Sequence, residues 1–397
     1  MIPAAVSSPL SRLRLLVARQ WVILLALLLY LPLIFIGYGS DVDTYRVLET
    51  GRNFVASADY VPSRRPGFLV HELPTFVLDR LGGSIFANLG TLFWALVGVA
   101  CFRRILHRHR IPHADLLVLA FIIHPVFWFN ATATADYAWA LGMLLAGFDF
   151  LERGRFGWAG LALGLSTGCR ISSALAAVVL LGYAWLEFPL QRRQVLGGAA
   201  LAAFLAALAY VLPWDFAEWR PSFWEVSTGS PALWTLGMQI GRFLYKNMYF
   251  WGVPAVLLAI GVLVRSARSA RPWKQPGAGR LAGLCLLVLL GLQVLFFRYP
   301  IEVEYLLPTL PFWLILFGLS LPHRRAVILL IIAIFSYNLV NLNLAKPDAP
   351  GQASQAALGI WLEPGYLVQE SSIRLALRGC DSHACYDERI GRRAENE

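Results

Sequence analysis

Eleven apolar stretches separated by short polar segments constrain this 397-residue chain more than any other feature. They are Trp21 to Tyr38, Ser84 to Phe102, Ala114 to Phe129, Tyr137 to Leu151, Trp158 to Cys169, Ser172 to Glu187, Val195 to Leu212, Met248 to Val264, Leu281 to Phe297, Tyr305 to Leu321 and Ala326 to Leu342. A helix needs about 20 mostly apolar residues to cross a bilayer, and no water-soluble core of this size buries so many. The charged share is 15%, against an ordinary share of about 25%, which sets aside a soluble enzyme, a coiled coil and a disordered chain. The expected fold is an all-α polytopic membrane protein with about eleven transmembrane helices. The fifth stretch is short. Because Arg153 and Arg155 precede the fifth and sixth stretches and Arg192 and Arg193 follow them, two short helices meeting near Thr167 to Ser172 fit better than one long one.

Basic residues give the orientation. One set of loops carries Arg12, Arg14, Arg19; Arg103, Arg104, Arg108, Arg110; Arg153, Arg155; Arg192, Arg193; Arg265, Arg268, Arg271, Lys274, Arg280; and Arg324, Arg325, which is 18 of the 34 basic residues. This side is read as cytoplasmic. Only four of the 24 acids, Asp115, Asp149, Glu152 and Glu187, lie away from the outer face. The formal charge of +10 is therefore concentrated inside, where it suits anionic membrane lipids rather than nucleic acid. The N-terminus is expected inside and the C-terminus outside, with the first stretch a retained signal anchor in a bacterial inner membrane.

The polar mass lies outside. Residues 1–343 read as the transmembrane unit, with outer loops 39–83 and 214–247, and residues 344–397 as an extracytoplasmic tail. In the first loop, Val47, Leu48, Phe54 and Val55 recur at helical spacing, and so do Phe68, Leu69, Leu73, Phe76, Val77 and Leu81 after Pro66-Gly67. Two interfacial helices are expected there. Trp214, Trp219, Trp224 and Trp234 crowd the second loop, as an aromatic belt or a sugar-stacking platform. Cys101, Cys169 and Cys285 sit in apolar helices as packing residues. Cys380 and Cys385 flank Asp381 to Ala384 in the tail, where a disulfide persists; a zinc site using His383 is a ligand short.

The chemistry-bearing residues also face out. Gly39-Ser40-Asp41-Val42-Asp43-Thr44-Tyr45 follows the first stretch directly. Two carboxylates two residues apart raise each other's pKa and suit a general base or a site for a divalent cation, while Asp43 is also placed to cap the helix that follows. Arg170 stands at the tip of two apolar helices, a costly place for a charge without a partner. Asp136 opens the fourth span as a cap or a cavity residue. Glu302 and Glu304 are placed to orient an acceptor or to pair with Arg298, and His71 with Glu72 forms an acid/base pair or a solvated helix face.

The first outer loop resembles that of the GT-C class of integral membrane glycosyltransferases, which opens with an acidic motif after the first helix and continues with two interfacial helices. The nearest pattern is that of the GPI-anchor mannosyltransferase I type, matched here by Asp41, Asp43, Tyr45 and Ser63-Arg64-Arg65-Pro66-Gly67. Thr44 intervenes before the Tyr and no Tyr adjoins Arg64, so the sugar is left open. A Gly-Leu-x-x-Gly-Leu helix leading to Arg170 and the combination Arg298, Tyr299, Leu307, Pro308 are also similar to the class. The resemblance implies a sugar donor carried on a polyprenyl phosphate and transferred with inversion to an outer glycan, lipid or protein acceptor. It implies Asp41 or Asp43 as base, Arg298, Arg170, Arg64 and Arg65 for the departing phosphate, and Tyr45, His71, Glu72, Asp136, Tyr299, Glu302 and Glu304 around the substrates. Competing readings are a lipid or solute transporter, disfavoured by apolar span centres and the absence of a repeat, and a polysaccharide polymerase or ligase.

Overall fold

The computed structural model describes residues 9–57, 60–64, 67–211, 236–269, 277–321, 323–345 and 358–396. Expectations for Arg65 and for the tryptophans at 214, 219, 224 and 234 lie outside these residues. In chain order the helices are α1 (Pro9–Tyr30), α2 (Val42–Ser57), α3 (Leu69–Arg108), α4 (Ala114–Ile122), α5 (Pro125–Asn130), α6 (Asp136–Leu151), α7 (Phe156–Cys169), α8 (Ser173–Glu187) and α9 (Arg192–Val211). They continue with α10 (Leu236–Trp251), α11 (Val253–Ser269), α12 (Ala278–Arg298), α13 (Leu310–Ser320) and α14 (Arg324–Leu339).

The chain is a polytopic helical membrane protein, and each expected stretch falls largely on helix, the last passing into a strand at Val340, though not as eleven uninterrupted spans. Leu69–Arg108, Pro189–Val211, Ala278–Arg298 and Val303–Ser320 are individually long and apolar enough to cross a bilayer, and α10 with the start of α11 makes a fifth, bent by 94°. The breaks have local causes. Pro125 opens α5 and holds His124 extended, because the proline ring excludes the preceding residue from helical geometry. Gly252 sits between α10 and α11 at φ +73°, where a Cβ would come within 2.9 Å of the Tyr337 ring. The helix beginning at Leu236 starts well inside the stretch expected as outer loop. The second interfacial helix runs into the next span as α3, with a non-helical joint at Gly82 and Gly83.

Close helix packing rests on small residues. A Cβ on Gly142 would lie 2.2 Å from the carbonyl oxygen of Trp94, and one on Gly160 would lie 2.2 Å from that of Gly198. Contacts of this kind let backbones approach where lipid gives no hydrophobic drive for association. Gly160 and Gly164, part of the GT-C-like pattern, are thus the seam along which α7 meets α9. At the basic face the four exceptional acids are all paired: Asp115 with Arg103 (2.8 Å), Asp149 with Arg104 (2.8 Å), Arg108 and Arg153, Glu152 with His109 (3.1 Å) and Glu187 with Arg280 (3.0 Å).

The tail is more structured than an all-α reading provides. Strands β1 (Val340–Ala345) and β2 (Leu358–Pro364) pair antiparallel, and α15 (Tyr366–Ala376) and α16 (His383–Asn396) follow. Leu377 and Cys380 bury against Tyr45 and Leu48 of α2, and a disulfide joins Cys380 to Cys385. The tail is therefore a cap seated on the first outer loop. A reporter enzyme fused after Leu342 is expected to be active only outside the cytoplasm. Cytoplasmic activity would place a miscounted crossing in the chain, with the short pair around Arg170 the first suspect.

Candidate active site

The turn that carries the acidic motif is clamped from three directions. Asn88 of α3 donates to the carbonyl oxygens of Ile34 (2.9 Å) and Gly37 (2.8 Å). The Thr134 N–H reaches the Tyr38 carbonyl at 2.7 Å. Arg374 of α15, fully buried, donates to Gly37 O at 2.6 Å and to Thr132 O at 2.7 Å. Burial without a carboxylate partner pushes the Arg374 guanidinium down to about 9, since desolvation disfavours the charged form.

Asp41 ends this turn and caps α2, its Oδ1 accepting the Asp43 N–H at 3.0 Å. This reverses the expected division, in which Asp43 was the cap: with Asp41 two positions back, its carboxylate reaches the free N–H first. Asp43 instead pairs with Arg46 (3.2 Å) and with Arg64. Tyr45, expected at the substrate, is fully buried; its hydroxyl donates to Gly39 O at 3.2 Å and its ring lies against Tyr386. It props the turn.

Behind Asp43 runs a line of alternating charge. Asp136, 1% exposed, receives Arg170 at 2.8 Å and Arg64 at 3.1 Å. The Arg170 guanidinium also lies 3.9 Å from the Tyr137 ring centre, and that of Arg64 lies 4.4 Å from Phe68. Asp136 is thus more than a helix cap, and Arg170 has the partner its burial requires. His71 is buried edge-on to Trp139 with neither ring nitrogen bonded. Glu72 accepts the Ser63 N–H at 3.1 Å, together with the Ser63 and Tyr60 hydroxyls. It ties down the segment that delivers Arg64.

On the other side of Asp41 opens a cavity of about 450 Å³. The first outer loop, α10, the segment before α13 and the tail all contribute to its wall. Among the described residues five carboxylates line it, Asp41, Glu302, Glu304, Glu363 and Glu370, with Lys246 as the one basic lining residue. Glu302 accepts the Tyr137 hydroxyl and Glu304 that of Tyr366. Neither is paired with Arg298, the alternative raised from sequence; Arg298 ends α12 exposed and is not among the residues of that wall. Tyr299 is half-buried beside it and also stands outside the wall. Burial, then the nearby Asp43 and Glu302 carboxylates, push Asp41 up to about 7 against the Asp43 N–H and Arg64.

Glu370, whose carboxylate takes the Ser40 hydroxyl at 2.5 Å, and Tyr366 were not foreseen as site residues. Their only signal was position in polar outer segments. Oxygens of Asp41, Asp43 and Glu302 lie within 4.8 Å of one another, a spacing that suits the 2.3–2.6 Å bonds of a hard divalent cation, although each already has a protein partner.

No protein-family model matches the sequence, and no curated protein matches it. Among solved structures, the chain resembles the crystal structure of ArnT from Cupriavidus metallidurans bound to undecaprenyl phosphate, with TM-score 0.54 and 19% identity over 76% of this chain and 59% of that one. The apo state of the same protein aligns with TM-score 0.52 and 17% identity over 76% of this chain and 60% of that one. This chain spans under two thirds of its neighbour's length, and the likeness is one of fold. Over about three quarters of its length the chain thus shares the fold of this ArnT.

Proposed function

We propose that the protein is a glycosyltransferase that moves a sugar from a polyprenyl-phosphate carrier to an extracytoplasmic acceptor, with inversion, in a bacterial inner membrane. The observation that carries this reading is the place of Asp41. It stands between an acidic cavity able to take an acceptor and the arginine line of Arg64 and Arg170, on a fold shared with a protein bound to undecaprenyl phosphate. In the proposed step the acceptor hydroxyl oxygen bonds to the anomeric carbon from the face opposite the phosphate. The bond from that carbon to the phosphate oxygen breaks, the hydroxyl proton passes to the Asp41 carboxylate, and the lipid phosphate leaves as an anion. Asp43, held by Arg46 and Arg64, keeps a second negative charge beside the base. Asp136 fixes the two arginines whose field faces the leaving group.

The direct test is transfer of a radiolabelled sugar from a panel of polyprenyl-phosphate sugars by the full chain in membranes. No transfer with any donor, against vectorial uptake of a lipid or solute, would favour the transporter reading. If Asp41, Asp43 and Glu302 share a divalent cation, a chelator abolishes turnover and the metal restores it; unchanged turnover leaves Asp41 to act alone.

Arg298 has the exposure that a lipid phosphate requires, and its planar fork matches phosphate better than an ammonium does. Arg298→Ala is expected to raise the donor KM about tenfold with kcat little changed, and Arg298→Lys to restore only part of the loss. Unchanged donor KM in both variants would remove Arg298 from the site.

A further inference from the structure

Beside Asp41, the wall of the 450 Å³ cavity has an unusual chemical balance. A volume of this size suits a small ligand or one end of a larger one. Its carboxylates are not free to move: Glu302 is held by Tyr137, Glu304 by Tyr366 and Glu370 by Ser40. An ionised carboxylate offers about four acceptor positions, and each of these three has one hydroxyl donor, so acceptor capacity remains toward the cavity. The arginines that would welcome an anion are elsewhere. Arg64 and Arg170 do not line this cavity, and both are engaged by Asp136 on the far side of Asp41. Aromatic rings of Tyr249 and Tyr366 complete the wall, and such rings pack against the C–H faces of sugars as they do against other apolar surface.

A wall with five carboxylates against one ammonium, whose other donors are uncharged hydroxyls and amides, is matched by a ligand that brings donors of its own and no negative charge. Sugar hydroxyls do this. A phosphate or carboxylate brings acceptors only and meets like charge, which an interface uses to exclude partners. We infer that this cavity is an acceptor subsite selective for an uncharged sugar unit, and that Glu304 and Glu370 enforce the exclusion of phosphorylated or carboxylated acceptors. The inference rests on the transferase reading for the word acceptor, while the charge selectivity stands on the cavity wall itself.

The experiment measures binding without donor, so that it does not depend on catalysis. The full chain in zwitterionic lipid nanodiscs is titrated by saturation-transfer NMR at pH 8. The probes are methyl glycosides of glucose, galactose and mannose, each beside its 6-carboxylate and 6-phosphate counterpart. At least one neutral glycoside is expected to bind saturably, with its two anionic counterparts at least tenfold weaker. In Glu304→Gln/Glu370→Gln, checked for an unchanged unfolding temperature, the gap should shrink to threefold or less, chiefly because the anionic probes bind more tightly, while neutral binding remains saturable though weakened by the two lost acceptor oxygens. Singly substituted Glu304→Gln and Glu370→Gln, each narrowing the gap in part, serve the same purpose if the double variant unfolds early. Anionic probes that bind as well as neutral ones, a gap untouched by any of these substitutions, or no saturable binding by any neutral probe would each overturn the inference. A failed sugar-transfer assay with charge-selective binding intact would instead overturn the transferase reading alone.

Discussion

Asp41→Asn is expected to lower sugar transfer by about 10²–10⁴-fold, the usual worth of a general base, while raising the unfolding temperature at pH 8. The two effects have one cause. Burial first, then the charges of Asp43 and Glu302, hold the Asp41 carboxyl up to about 7 in the folded protein, against an ordinary value of about 3.9 in an unfolded chain. The fold therefore favours the protonated form. Its contribution to stability is fully present below about pH 4 and is lost as pH rises through about 7, so an amide, which mimics the protonated acid, should relieve the folded protein at pH 8. The same shift predicts a wild-type transfer rate that climbs with pH to a plateau, with an acid limb near 7 set by the need for an ionised base. Glu302→Gln removes a charge that raises Asp41, and should move that limb to lower pH. Full transfer by Asp41→Asn, or an acid limb indifferent to Glu302, would pass the role of base to Asp43.

Asp136→Ala carries the largest expected cost in stability. Asp136 is the shared partner of Arg64 and Arg170, and its removal leaves two guanidinium groups side by side in a buried place. Breaking a buried pair from one side typically costs about 3–5 kcal/mol. Thermal unfolding in detergent should show a fall of many degrees, and proteolysis should open the segment around Ser63 and Arg64, which Asp136 helps to hold. Arg170→Met in the Asp136→Ala background should recover part of the loss, because it removes one uncompensated charge. A single Asp136→Ala variant that unfolds within a degree of the wild type would mean that Asp43 alone compensates both arginines.

Much of this architecture was legible in the sequence. Hydrophobic period and basic loops located the helical stretches, Val47 and Leu48 announced α2, and the spacing of Cys380 and Cys385 in a polar tail announced their bond. Phe54 and Val55, expected on the apolar face of the same interfacial helix, are exposed, while Tyr45 and Leu48 are covered by Leu377 and Cys380 of the tail. The cap itself was ambiguous because Asp41 and Asp43 are both good N-cap residues, and only the start of the helix decides between them. What stayed hidden is contact across great sequence distance. Ser40 meets Glu370 at a separation of 330 residues and Gly37 meets Arg374 at 337. No local periodicity encodes such pairs, and a mixed-charge tail reads as solvated until something covers it. The Gly252 bend was obscured in the same way, because a lone glycine in an apolar run has many uses.

The seating of the tail on the first outer loop also bears on how the protein comes into being. The turn bearing Asp41 leaves the ribosome well ahead of Tyr366, Glu370 and Arg374, which follow more than three hundred residues later. Until they arrive, Gly37 lacks two of its hydrogen bonds, Ser40 lacks its partner, and one wall of the cavity is missing. A nascent chain thus carries its acidic motif without these contacts while the intervening residues, more than three hundred of them, are made. Completion of this wall is timed to the arrival of the tail rather than to the insertion of the helices.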